Sequence, residues 1–427
     1  MERFDPIEAM ASAKHEFGEH GGVNLSIEAS TTFTVMRAGT LPKLFQGAVG
    51  PERGCYLYGR HFNPTVYALG KQLAAMEGME AGYGTASGMG AIAAAALQLC
   101  RHGDHAVVSR TVYGGTHALF EHFLPERAGL SATFVDVADL GAVERAFSAR
   151  TRLLYVETLG NPTLVVADLP ALADLAHRHG AKLVVDNTFC PLVVAPSRFG
   201  ADVVLYSLTK FVNGASDIIA GAVCADGEFI RKLMDVQHGA LLLLGSTLDP
   251  QSAFHVSLRL PHLGLRMAEH GRRARVFAER LAERGLSVTY PGLPTHPQHT
   301  LMNRLRHPDF GFGGVLTVDL GTTERAYALM ETLQNRDRFG YMAVSLGYFD
   351  TLMSCSAVST SSELSEEERA RAGVSPGLVR MSVGYTGSLE QRWAQLQDAL
   401  EILGFLPSRV AVGVSGSRQG TGTPLAG

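Results

Sequence analysis

The 427-residue sequence is 46% hydrophobic and 18% charged, and its 37 basic and 41 acidic residues give a net charge of −4. This length exceeds that of one ordinary domain, so we expect two or three domains around a large apolar core. The nearly balanced charge gives no indication of a nucleic-acid or anionic-membrane partner, and no apolar run approaches the ~18–20 residues of a transmembrane helix.

Residues 1–63 lack strong periodicity, and we interpret them as an N-terminal arm that lies on a neighbouring subunit or serves the active site. Within this arm, residues 26–35 favour an extended segment and residues 41–54 favour a loop. Tyr58 and Arg60 are two residues apart, so in an extended chain they point the same way and would form a phosphate clamp. On this motif alone, an exposed arginine beside a packing tyrosine is the stronger interpretation.

The five cysteines are scattered along the chain, and no two of them have CxxC spacing. This distribution is typical of reduced core thiols and not of a disulfide framework or a zinc site. We therefore expect a cytoplasmic protein without a structural metal. The first 20 residues agree with this, because they lack the apolar core of a signal peptide and are too acidic for a transit peptide.

Residues 65–78 predict an amphipathic helix that ends at Gly78, and a glycine- and serine-rich turn over 85–90 then leads into an alanine-rich helix. Free backbone amides at a helix start, with glycines that allow close approach, form an anion site from Ser87, Gly88 and Met89. Alternatively, the small residues pack the helix tightly on a sheet, and both interpretations can hold. The spacing matches neither the dinucleotide-binding nor the P-loop glycine motif.

Strands and helices alternate from about 64 to 240, which predicts an α/β fold with a mostly parallel sheet flanked by helices. Ligands bind such sheets at the carboxyl ends of the strands, and two notable side chains follow strand ends. Tyr113 could stack on an aromatic cofactor, and Asn161 could hydrogen-bond a phenolic oxygen of its ring. As an alternative, Asn161 and the proline after it form a common turn pair.

Residues 181–221 combine two buried strand patterns that end in polar residues. The first ends in Asp186, and the second is followed by Ser207, Thr209 and Lys210. This combination suits pyridoxal phosphate (PLP): the lysine forms a Schiff base, the aspartate keeps the pyridine nitrogen protonated, and the hydroxyls bind the phosphate. Each residue alone is equally compatible with an ordinary α/β core, but the set together favours PLP.

The rest of the chain predicts a long amphipathic helix over about 265–285, followed by strands and helices of a smaller α/β domain. Arg380 lies in an apolar alternating strand, where a substrate carboxylate or an internal salt bridge would be its partner. Ser345 would add a hydroxyl to that site. We therefore expect an arm over 1–63, a cofactor-binding domain over 64–264, a C-terminal domain over 265–408, and a disordered Gly/Ser/Thr-rich tail over 409–427.

Seven segments in collinear order, covering roughly residues 20–405, resemble the Cys/Met-metabolism family of PLP enzymes, the γ-family of fold-type I. They are YGRHFNPT, TASGMGAI, VYGGT, ETLGNPT, VVDNTF, SLTKFVNG and GLVRMSVGY. Two segments, residues 15–35 and 354–387, look most like the plant-type methionine γ-lyase branch of this family.

This resemblance implies a role for each candidate residue. Lys210 would carry the cofactor and move protons, Asp186 would pair with the pyridine nitrogen, and Tyr113 would stack on the ring and act as acid and base. The phosphate would be bound by Ser87, Gly88, Met89, Ser207 and Thr209, and by Tyr58 and Arg60 of a neighbouring subunit. Asn161 would lie by the ring's phenolic oxygen, and Arg380 with Ser345 would bind the substrate carboxylate. The active unit would be a homodimer, usually doubled into a homotetramer.

The implied reaction is α,γ-elimination on L-methionine, which gives methanethiol, 2-oxobutanoate and ammonia. A cystathionine γ-lyase or γ-synthase is the alternative, because Gly115 stands where several bacterial methionine γ-lyases carry cysteine. A non-catalytic binding protein with this fold is a weaker alternative, because every residue that the chemistry needs is present.

Overall fold

The computed structural model describes residues 4–13, 17–359 and 365–406. Within these ranges the helices are α1 Pro6–Ser12, α2 Thr40–Phe45, α3 Pro64–Glu77, α4 Gly88–Leu99, α5 Gly114–Ala118, α6 Leu124–Ala128, α7 Leu140–Ala146, α8 Leu169–Arg178, α9 Gly227–Leu233, α10 Ala240–Leu244, α11 Pro250–Arg259, α12 Leu263–Glu283, α13 His299–Leu305, α14 Thr323–Glu331, α15 Glu366–Arg371 and α16 Leu389–Ile402. The strands are β1 Ala81–Thr85, β2 His105–Ser109, β3 Ser131–Val135, β4 Thr151–Glu157, β5 Lys182–Asp186, β6 Val203–Tyr206, β7 Gly221–Ala225, β8 Ser287–Thr289, β9 Val315–Asp319, β10 Gly340–Met342, β11 Thr351–Cys355 and β12 Leu378–Ser382. In that part of the chain, no helix is both long enough and apolar enough to cross a membrane.

The first sheet has seven strands in the order β1-β7-β6-β5-β4-β2-β3. The strands from β6 to β3 pair in parallel, and β7 runs antiparallel to both of its neighbours. The prediction of a mostly parallel sheet is confirmed. Its central strands consist of buried apolar residues on both faces, as a sheet covered by helices on each side requires.

Sequence analysis does not predict strand β1, because its residues, AGYGT, have the composition of a turn. The structure shows why small residues are needed there. A Cβ atom on Gly70 of α3 would lie 2.1 Å from the carbonyl oxygen of Gly82 in β1, so the helix packs directly against the strand backbone. Strand β7 is similarly rich in small residues and pairs with β1 along its whole length.

The arm differs in part from the prediction. The loop expected over 41–54 is wrong for its first residues, because Thr40–Phe45 form the short helix α2. Its Leu44 is buried, so packing that the local sequence does not reveal stabilises this short helix. The segment predicted as extended, 26–35, joins neither sheet and makes a single isolated bridge between Thr32 and Tyr58.

The second sheet, in the order β10-β11-β12-β9-β8, lies C-terminal to the long helix α12. That helix was predicted over about 265–285 and spans Leu263–Glu283. Its buried Arg266 donates hydrogen bonds to the carbonyls of Phe211 and Val212, just after the lysine that follows β6. We propose domain boundaries near residues 63 and 264, as the sequence indicates. The tail predicted over 409–427 lies outside the described residues.

The sheet brings several chain segments to one edge. Strands β2, β4, β5 and β6 are parallel, so their carboxyl ends lie on the same side. Strand β1 is antiparallel to β7, which is antiparallel to β6, so β1 ends there as well and delivers the start of α4.

Candidate active site

A cavity of about 280 Å³ opens at this edge of the sheet. Ten of the residues singled out from sequence line it: Ser87, Gly88, Met89, Tyr113, Asn161, Asp186, Ser207, Thr209, Lys210 and Arg380. The other lining residues are Ile92, Glu157, Leu159, Thr188, Phe189, Ile219, Val344 and Leu346. Residues far apart in sequence thus form one concave site with both apolar and charged walls, the usual character of a small-molecule site.

The start of helix α4 forms one wall of the cavity. Ser87 caps the helix, and its Oγ accepts a hydrogen bond from the amide of Gly90 at 3.0 Å. A Cβ atom on Gly88 would lie 2.8 Å from the Cβ of Ser207, so only glycine lets these two segments approach so closely. The first amides of a helix have no partners within it, so this wall suits an anion such as a phosphate.

Asp186 lies at the end of β5 and faces the cavity. Its Oδ1 accepts from the backbone amide of Thr188 at 2.9 Å, and its Oδ2 accepts from the hydroxyl of Tyr155 at 3.3 Å. Thr188 in turn accepts at its Oγ1 from the amide of Ser207 at 2.8 Å. Burial raises the pKa of Asp186, while the bonds from Thr188 and Tyr155 oppose that shift. Sequence analysis missed both of these supporting residues.

Lys210 follows β6 and directs its amine into the cavity, where Nζ donates to Oγ of Ser345 at 3.0 Å. Burial, with a further contribution from the charge of Arg380, lowers the pKa of Lys210 to about 8. Gly347 makes the contact with Ser345 possible. It has a φ of +78°, and a Cβ there would lie 2.4 Å from the amide nitrogen of Phe211.

Arg380 lies in the middle of β12 and is only 2% exposed. Its Nη1 donates to Oδ1 of Asn161 at 2.9 Å, and its Nη2 donates to the carbonyl of Ser345 at 3.2 Å. Both acceptors are neutral, so the internal salt bridge considered from sequence is not formed as a direct contact. A buried guanidinium held by neutral groups is well suited to bind a carboxylate. Burial lowers the pKa of Arg380 to about 10.

Glu157, the last residue of β4, is a cavity residue that sequence analysis did not select. Its Oε1 accepts from the amide of Tyr113 at 2.7 Å, and its Oε2 accepts from the amide of Asn161 at 3.0 Å. A signal for it existed, because it ends a buried strand just as Asp186 ends the next one. Burial, and then the charge of Asp186, raise the pKa of Glu157 well above its usual range.

Tyr113 precedes helix α5, and its side chain is 44% exposed at the cavity. The ring lies over Gly115, where a Cβ atom would be 2.6 Å from the ring's Cε1. A larger residue at 115 would therefore have to displace the ring of Tyr113.

Tyr58 and Arg60 do not line the cavity of their own chain. The guanidinium of Arg60 lies 5.7 Å from the ring centre of Tyr58 and donates to the carbonyl of Leu242 at 2.7 Å. The two side chains are adjacent and exposed, as their spacing predicts.

Comparisons with known proteins agree with this geometry. A family model described as "Cys/Met metabolism PLP-dependent enzyme" matches residues 8–401. The chain is 54% identical to a methionine γ-lyase of Arabidopsis thaliana over 396 residues, which are 92% of this chain and 90% of the relative.

Solved structures are similar over almost the whole chain. A cystathionine γ-synthase of Xanthomonas oryzae pv. oryzae in complex with aminoacrylate and cysteine superposes with a TM-score of 0.84 at 31% identity, covering 95% of this chain and 100% of the other. A Campylobacter jejuni chain described as an O-acetylhomoserine (thiol)-lyase, which carries N'-pyridoxyl-lysine-5'-monophosphate, superposes with a TM-score of 0.84 at 26% identity, covering 93% and 100%.

Proposed function

The chain belongs to the family of Cys/Met-metabolism PLP-dependent enzymes, and on that basis we propose that it performs α,γ-elimination on L-methionine, releasing methanethiol, 2-oxobutanoate and ammonia. It is a PLP-dependent carbon–sulfur lyase with the fold-type I architecture that the sequence predicted. Its substrate is an amino acid, which is a small-molecule partner.

The cavity fits PLP in three respects. Lys210 offers an amine for the aldehyde, and Asp186 offers a carboxylate for the ring nitrogen. The start of α4, closely approached by Ser207, offers amides and hydroxyls for the phosphate. We assign the phosphate to Ser87, Gly88, Met89, Ser207 and Thr209, and the ring face to Tyr113.

When bound, PLP supplies an electron sink that acidifies the α-hydrogen of the amino acid and then allows its γ-substituent to leave. Lys210 is the group placed to remove that hydrogen. Its lowered pKa keeps a usable fraction of the amine neutral near pH 7, as a general base requires. The hydroxyl of Ser345, 3.0 Å away, keeps the amine directed into the cavity.

Tyr113 is the acid that we assign to the departing thiolate. Its ring reaches the cavity, while its backbone amide is fixed by Glu157, so the phenol can move a proton without displacement of the loop. The substrate carboxylate is assigned to Arg380, with Ser345 and Asn161 beside it. Asn161 and Ser345 each accept a hydrogen bond from the guanidinium through a neutral oxygen atom, so its positive charge stays available to the substrate carboxylate.

The observation that most favours methionine is the rest of the cavity wall. Of the described residues that line it, four carry a formal charge, and the assignments above use three of them: Lys210, Asp186 and Arg380. The fourth, Glu157, accepts hydrogen bonds from two backbone amides at its two carboxylate oxygens. The remaining wall is largely apolar, formed by Met89, Ile92, Leu159, Phe189, Ile219, Val344 and Leu346. An apolar wall favours a thioether over the charged distal group of cystathionine.

Gly115 supports the second candidate, a cystathionine γ-lyase or γ-synthase. The ring of Tyr113 rests over this glycine, so position 115 contributes no side chain to the cavity. That leaves more room near the leaving group than a cysteine would. Similarity to a cystathionine γ-synthase structure is consistent with this alternative.

We further propose that the enzyme acts as a homodimer, doubled into a homotetramer, in which Tyr58 and Arg60 reach the phosphate of the neighbouring subunit. Exposed large apolar side chains on the arm and on helix α10 support this: Met36, Phe45, Tyr58, Leu243 and Leu244. Arg60 joins the two elements, because it donates to the carbonyl of Leu242 in α10. We also propose a cytoplasmic location, since all five cysteines are free thiols.

The deciding experiment compares purified protein on L-methionine and on L-cystathionine, with 2-oxobutanoate and methanethiol measured separately. We expect faster methanethiol release from methionine than cleavage of cystathionine. Methanethiol release much slower than cystathionine cleavage would refute the first choice and support the second. Sedimentation of the same preparation tests the homotetramer, and a stable active monomer would contradict the shared site.

A further inference from the structure

Two carboxylates stand side by side at the floor of the cavity. Glu157 ends β4 and Asp186 ends β5, and the two residues are direct partners in the parallel register. Both line the cavity, and Glu157 is only 8% exposed. Adjacent buried carboxylates are costly to ionise together, so each needs a specific reason to be there.

The two carboxylates have different partners. Asp186 accepts from Thr188 and Tyr155, which are on its own strand end and on the neighbouring strand. Glu157 instead uses both of its oxygens on backbone amides of two separate loops, at Tyr113 and at Asn161. It therefore ties the loop after β2 to the loop after β4.

The loops that Glu157 connects carry the two parts of the proposed chemistry. One presents the ring of Tyr113, and the other presents Asn161, which accepts from Arg380. Arg380 makes its described hydrogen bonds to neutral oxygens only, of Asn161 and Ser345. Glu157 therefore holds, through the amide of Asn161, one of the two residues that accept hydrogen bonds from Arg380.

We propose that Glu157 is a positioning residue for the elimination reaction. Its carboxylate accepts a hydrogen bond from an amide of each loop and so fixes the loops of Tyr113 and Asn161 relative to each other. This inference rests on the proposed function for the placement of PLP and of the substrate carboxylate.

Two variants test this role as PLP-loaded enzyme. Glu157→Gln keeps the length of the side chain but removes one of its two acceptor oxygens. Glu157→Asp keeps both acceptor oxygens but is one methylene too short to reach both amides. Glu324→Gln is the matched control, because Glu324 lies on α14 and is fully exposed.

Binding of PLP is measured without substrate from the visible absorbance of the bound cofactor. We expect both variants and the control to bind PLP at Lys210, because Glu157 contacts the backbone amides of the two loops and not the lysine.

The positioning is read from steady-state kinetics. A shift of loop geometry by about 1 Å can reduce turnover up to about 100-fold, so we expect a lower kcat in both variants although each binds PLP as the wild type does. A wild-type kcat in Glu157→Asp would overturn the proposal. Loss of folded, cofactor-bound protein in both variants would also overturn it, because the role would then be structural. Turnover is measured on L-methionine and on L-cystathionine, so the positioning role is tested independently of which of the two is the substrate.

Discussion

The lowered pKa of Lys210 predicts how the protein takes up its cofactor. Only a neutral amine attacks an aldehyde, and an amine is neutral above its pKa. A shift from the ordinary 10.5 to about 8 makes roughly 300-fold more neutral amine available near pH 7, or about a tenth of the molecules. The rate of PLP capture by the cofactor-free protein should therefore rise about tenfold per pH unit below 8 and level off above it.

The assay follows visible absorbance after PLP is mixed with cofactor-free protein from pH 6 to 10, about two units on either side of the expected midpoint. The same series with N-acetyl-lysine amide corrects for ionisation of PLP itself. Arg380→Met removes the like charge but keeps much of the apolar stem, so it should move the midpoint upward. A capture rate that still rises tenfold per unit between pH 8 and 10 would refute the argument, since Lys210 would then titrate as an exposed lysine.

Three further variants test the active site and the packing of helix α3 against strand β1. Lys210→Ala should abolish the absorbance of lysine-bound PLP and nearly all turnover, and substantial elimination activity would contradict the role given to Lys210. Arg380→Lys should raise KM for methionine roughly 10- to 100-fold with cofactor binding retained, because a single ammonium cannot replace the fork of donors; an unchanged KM would place the carboxylate elsewhere. Gly70→Ala should lower the free energy of unfolding by about 1–3 kcal/mol in denaturant titration, because its methyl group would meet the carbonyl of Gly82 at 2.1 Å, and a wild-type midpoint would show that α3 can shift without cost.

The sequence by itself determined the cofactor and the parallel strands whose carboxyl ends carry the residues for it. Parallel strands buried on both faces have long apolar runs, and the polar residues that end them stand out for that reason. Asp186, Lys210 and Asn161 could be selected on this pattern, and the glycine-rich turn at 85–90 could be selected on its backbone freedom. The pattern failed where small residues serve packing, because the glycines of β1 resemble a turn until α3 is placed against them.

Only the tertiary structure decided how the walls of the cavity meet. Arg380 bonds Asn161 across 219 residues of sequence, and Lys210 bonds Ser345 across 135, and no local pattern encodes such pairs. Glu157 became visible as a cavity residue only once β4 and β5 were in register, which placed its carboxylate beside that of Asp186. The types of residue that a reaction needs are set locally by strand ends and turns. Their distances, burial and shifted pKa values depend on packing between distant segments, which exists only in the folded chain.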